Sequence, residues 1–96
     1  MREIKLMADY GCFPLWESSP GSVGNIDPNT LSISDDLKFR LEKWSHQYDS
    51  TLNPDDPLRS GFPSLDAKGA FEREGQLLAK LLGEELGSKF KVVIQI

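Results

Sequence analysis

The chain has 96 residues, of which 39% are hydrophobic and 27% charged, and a formal net charge of −4. That length fits one domain, residues 1–96, with a modest core and little room for a deep, separate cleft. The acid excess argues against a nucleic-acid or anionic-membrane binder, the single cysteine rules out an internal disulfide, and no apolar run approaches the ~20 residues of a membrane span. At the amino terminus, the apolar run is short and broken by Lys5, unlike a secretory signal, so the expected compartment is the cytoplasm.

Ile4, Leu6 and Ala8 alternate with Glu3, Lys5 and Met7, a period of two that predicts a strand over residues 2 to 8. The stretch from Tyr10 to Pro28, YGCFPLWESSPGSVGNIDP, is rich in Gly, Pro and Ser and reads as a long loop. Its Tyr10, Phe13, Leu15, Trp16 and Val23 exceed what a solvent loop needs. The expected arrangement turns Phe13 and Leu15 inward as a lid and leaves Trp16 and the acids outward.

Ser34 is a good N-cap, and Asp35 and Asp36 suit the positive end of a helix dipole. Leu37, Leu41, Trp44 and Tyr48 then recur on one helical face, with Phe39 off the stripe, and the helix should fade near Leu52 because Pro54 disfavours helix at Asn53. A second helix opens near Ser64 or Asp66, with Phe71, Gly75, Leu78 and Leu82 as its stripe and Gly87 as its stop. Gly75 costs about 1 kcal/mol of helix propensity, and a close approach to Trp44 is the expected compensation. The closing KFKVVIQI alternates again and predicts a strand over residues 89 to 95.

The order strand, long loop, helix, helix, strand predicts an α+β fold. The terminal strands pair in a two-stranded sheet, with room for a short third strand at residues 30 to 33, and both helices cover one face. Parallel and antiparallel pairing both remain open.

Charge is unevenly placed. Residues 9 to 36 hold Asp9, Glu17, Asp27, Asp35 and Asp36 without a Lys or Arg, and residues 44 to 58 add Asp49, Asp55 and Asp56, again without one. Connections this long in so small a domain are usually functional or disordered, and the aromatics here argue against disorder. An acidic, aromatic surface would meet a basic partner, because opposed charge speeds encounter and Trp and Tyr are common anchors. The candidate partner-binding residues are Trp16, Glu17, Asp27, Asp35, Asp36, Asp55 and Asp56, with Tyr48 and Asp49 behind them. Each acid taken singly is as well explained as solvated surface.

No enzyme motif is present. Ser45 and Ser50 flank His46, but a sequence neighbour such as Ser45 points away from it on a helix, Cys12 has no basic neighbour to activate it, and one Cys with one His makes no structural zinc site. Asn25, Asp27, Asn29 and Asp36 hint at a calcium loop, but Pro28 intervenes and the sixth position is Thr30 rather than Gly, so NIDPN reads better as an Asx-type turn. No cofactor is expected.

ADYGCFPLW, GNIDP, KWSHQYDSTLNPDDP and SGFPS, spread over about residues 8 to 75, resemble small bacterial immunity proteins of contact-dependent growth inhibition and related polymorphic toxin systems. The resemblance implies a cytoplasmic, non-enzymatic protein that binds the toxin domain of its own system, often a nuclease, and blocks its active site or approach surface. A monomer is expected. The rival reading is a small ligand-binding or enzymatic domain with a site under the 10–28 loop, using Tyr10, Cys12 and His46. A third is an interaction module of a larger assembly with no toxin.

Overall fold

In the computed structural model, which describes residues 2–21, 24–52, 55 and 61–95, the chain's two ends lie side by side. Strand β1 (Arg2–Leu6) and strand β4 (Phe90–Ile94) pair in parallel, Ile4 opposite Val92 and Leu6 opposite Ile94. The expected pairing of the terminal strands is thus present, but the sheet is larger than two or three strands. Two further strands, β2 (Leu15–Glu17) and β3 (Gly24–Ile26), extend it antiparallel in the order β3-β2-β1-β4. Both arise within the stretch read as loop.

Each of these strands is three residues long, too short for an alternation to show against the Gly, Pro and Ser around it. At residues 30–33, where the sequence leaves room for a third strand, Leu31 and Ile33 are buried, but in a bent connection outside the sheet, with the Ile33 amide donating to the Leu31 carbonyl at 3.0 Å. A single 3-10 turn, Pro28–Thr30, precedes them, capped by the Asp27 side chain on the Asn29 amide. That is the Asx turn the sequence suggests.

Helix α1 (Asp35–Asp49) starts at Ser34, whose hydroxyl accepts from the Leu37 amide, and Glu85 of helix α2 (Leu65–Leu86) accepts from both the amide and the hydroxyl of Ser34 at 2.6 and 2.9 Å. The carboxylate near the positive end of α1 ties the start of one helix to the end of the other. Ser64 caps α2, and Gly87, at φ 82°, ends it.

The core lies on the sheet face that carries Ile4, Leu6 and Leu15, where Leu37, Leu41 and Trp44 of α1 meet Phe71, Leu78 and Leu82 of α2. Trp44 stacks flat on Phe71 at 4.4 Å and donates its indole N–H to the Phe71 carbonyl at 2.9 Å. The expected approach of Gly75 to Trp44 is present: a β-carbon at Gly75 would stand 2.8 Å from Trp44 Cζ2.

Candidate functional site

A groove of about 590 Å³ separates α1 from the β1–β2 loop and the segment after β3. The loop wall is fixed from both sides. Gly11, at φ 70°, makes the turn and donates its amide to Asp49 Oδ1 at 3.1 Å, and the Ser45 hydroxyl donates to the Cys12 carbonyl at 3.2 Å. Just before it, Tyr10 stacks on Tyr48 at 4.6 Å and shares a 3.0 Å hydrogen bond with Thr51. Burial, and after it the nearby Tyr10, push the Tyr48 phenol up from its ordinary value. From the other side, Asn25 Oδ1 accepts from the Phe13 amide at 2.9 Å, while its Nδ2 donates to the carbonyls of Phe13 and Leu15 at 2.7 and 2.9 Å.

These bonds present the Phe13 ring rather than bury it. Leu15 is fully buried as the lid reading has it, but Phe13 is 46% exposed, which corrects the inward placement. The reason is register. Leu15 faces the core opposite Leu6, whereas Phe13 precedes the strand and has its backbone pinned by Asn25. On the opposite wall Phe39, off the buried stripe of α1, is 65% exposed. Both rings line the groove.

The groove also gathers charge. Asp27 and Asp35 line it together with Glu42 and Asp49, against Lys38 and His46. Lys38 Nζ lies 3.8 Å from Asp35 Oδ1. Glu42 forms no ion pair among the described residues.

Two of the candidate contacts, Asp27 and Asp35, and the second-choice Asp49 are therefore brought together. The others are placed elsewhere. Trp16 lies on the opposite sheet face, opposite Lys5, half-buried, with its indole N–H donating to the Met7 carbonyl at 2.9 Å. Glu17 accepts from Ser19 at 2.6 Å and pairs with Arg2 at 2.7 Å; the Ser19 hydroxyl, and then the Arg2 guanidinium, hold its carboxyl below the ordinary value. Asp36 and Asp55 are exposed outside the groove, and Asp56 lies outside the described residues. The sequence reading missed Phe13 and Phe39 as surface rings and Glu42 as a groove acid. The spacing of Phe39, Glu42 and Asp49 along one side of α1 is the signal that could have found them.

Cys12 and His46, residues of the rival reading, line the same groove, and no hydrogen bond joins them among the described residues. A second hollow of about 690 Å³ near the ends of α1 and α2 has one carboxylate, Glu74, already paired with Arg40 at 2.7 Å. A third, of about 320 Å³, sets Glu72 beside Lys68 among Tyr48, Phe62 and Phe71. The first groove differs in gathering four carboxylates around two rings that are largely exposed. Among the described residues no helix is long and apolar enough to cross a membrane.

The search of curated proteins found no match. A family model described as Serratia CdiI immunity protein-like matches residues 2–95, which includes every strand, both helices and both walls of the groove. The chain belongs to this family of contact-dependent growth inhibition immunity proteins.

Proposed function

We propose that this protein neutralises the toxin domain of its own contact-dependent growth inhibition system by binding alone, and that the groove beside α1 is where the toxin docks. The observation that carries the reading is the convergence of four carboxylates and two exposed phenylalanine rings on one fixed groove of an acidic protein. A toxin that handles RNA or DNA must present cationic groups to phosphate. Asp27, Asp35, Glu42 and Asp49 offer that surface carboxylates in place of phosphates, and Phe13 and Phe39 supply apolar contact in the middle of the charge. Such a complex occludes a nuclease's nucleic-acid face. The protein acts in the cytoplasm as a monomer, and Trp16, Glu17, Asp36 and Asp55 have no share in this groove.

Co-expression with the toxin domain of its own system tests the reading. Growth should resume in cells making the toxin, and the two purified chains should elute as one stoichiometric complex. Two folded chains that elute separately at micromolar concentration would contradict it.

A further inference from the structure

Within the groove, one arrangement on α1 is specific enough to name its ligand. Phe39 has Asp35 four residues before it and Glu42 three residues after it. Side chains so spaced are helix-surface neighbours, with about 5–6 Å between β-carbons. All three line the groove, so the ring carries a carboxylate one turn to either side. The Phe39 ring is 65% exposed, Asp35 is fully exposed with only the 3.8 Å contact to Lys38, and Glu42 has no ion pair among the described residues. A large apolar ring flanked by two available anions is a poor surface for water and a good one for a planar cation.

We infer that Asp35, Phe39 and Glu42 form an arginine-reading site, which takes a guanidinium from a basic segment of the partner protein. Guanidinium is the cation that fits, because its flat face is weakly hydrated and stacks on an aromatic ring while its edge still donates in-plane N–H groups to carboxylates. An ammonium is compact and strongly hydrated, and gains from the carboxylates but little from the ring. The remaining groove fits a segment rather than an isolated side chain. From Asp35 to Asp49 the helix wall runs ~21 Å at 1.5 Å per residue, the length of about six extended residues. Phe13 and Asp27 on the facing wall and Asp49 at the far end offer a second ring and further carboxylates to the same segment.

This inference rests on the groove being the docking site, and its test separates the two. A fluorescein-labelled peptide of alternating Arg and Ala is titrated with the intact protein, alongside a Lys–Ala peptide of equal length and charge. The toxin domain is tested in parallel for complex formation. The Arg peptide should bind at least about tenfold more tightly than the Lys peptide. Phe39→Ala should erase that preference, and Glu42→Gln should weaken both peptides. Phe39 and Glu42 are exposed, so both variants should melt like the parent. Equal binding of the two peptides, or a preference that survives Phe39→Ala, overturns the inference even where the toxin still binds. Arginine selectivity lost in Phe39→Ala without any toxin complex upholds it, while the immunity reading of the groove falls.

Discussion

Asn25 holds both backbone polar groups of Phe13, accepting from its amide at 2.9 Å and donating to its carbonyl at 2.7 Å. A side chain on β3 thereby does what a paired strand would do, and fixes a segment that has no ladder partner of its own. The Phe13 ring is then held half in solvent without the freedom of a loop, so binding to it loses little further entropy. Asn25→Ala should cost about 1 kcal/mol of stability, since these hydrogen bonds are exposed and water replaces them in part. Its effect on toxin affinity should exceed its effect on stability. Urea denaturation and titration calorimetry on one preparation compare the two, and equal effects would show that Phe13 is not held for binding.

Gly75 and Gly83 lie on the same helix and should respond oppositely to Ala. Alanine favours a helix interior over glycine by roughly 0.5–1 kcal/mol. At Gly83 the new methyl meets nothing within 4 Å, so Gly83→Ala should stabilise by about that amount. At Gly75 it would stand 2.8 Å from Trp44 Cζ2, and Trp44 is locked by its stack on Phe71 and its indole hydrogen bond. Overpacking of this kind costs about 1–3 kcal/mol, so Gly75→Ala should be net destabilising. Denaturant midpoints decide it, and a stabilised Gly75→Ala would mean that the Trp44 stack yields easily.

Trp44 and Trp16 should also part company. Trp44 is 1% exposed in the core, and Trp44→Ala should cost about 3–5 kcal/mol. Trp16 is half-buried on the far sheet face, so Trp16→Ala should lower stability less and leave toxin affinity nearly unchanged. A large affinity loss in Trp16→Ala would move the interface to the other face of the sheet.

Acid should weaken the fold through Glu17. Its folded pKa is depressed, by Ser19 first and Arg2 second. The stabilisation it gives is therefore present above the ordinary glutamate value, about 4.3, and is lost as pH falls through the lower folded value. Melting temperatures measured from neutral pH down to about pH 3 should fall less steeply for Glu17→Gln than for the parent. Parallel curves would assign the acid sensitivity to other carboxylates.

Much of the fold was legible because long segments repeat their signal. The α1 and α2 stripes, the Ser34 and Ser64 caps, the Gly87 stop and the Gly75–Trp44 contact all follow from residue spacing. The hairpin of β2 and β3 was hidden because three-residue strands carry no period, and Leu15 looks alike in a lid and in a strand. The site was half legible. Composition marks the acidic connections, but the groove that Asp27, Asp35, Glu42 and Asp49 line has its second wall only because the Gly11–Pro14 loop is pinned between α1 and β3. That pinning runs through Asn25, Ser45 and Asp49, polar residues with no pattern of their own. Phe39 was visible as an off-stripe aromatic, while the groove it lines emerges only from the wall that faces it.

The central claim is that local charge in the groove, rather than the acidity of the whole molecule, holds the toxin. The most direct measurement compares toxin affinity of two triple variants with the same change in net charge. One neutralises the groove, by Asp35→Asn, Glu42→Gln and Asp49→Asn. The other neutralises exposed acids elsewhere on the helices, by Asp36→Asn, Asp66→Asn and Glu84→Gln. The groove variant should lose roughly a hundredfold or more in affinity while its melting temperature stays near the parent's, and the other should change by no more than about threefold. Equal losses in the two variants would contradict the claim and leave only a diffuse electrostatic attraction.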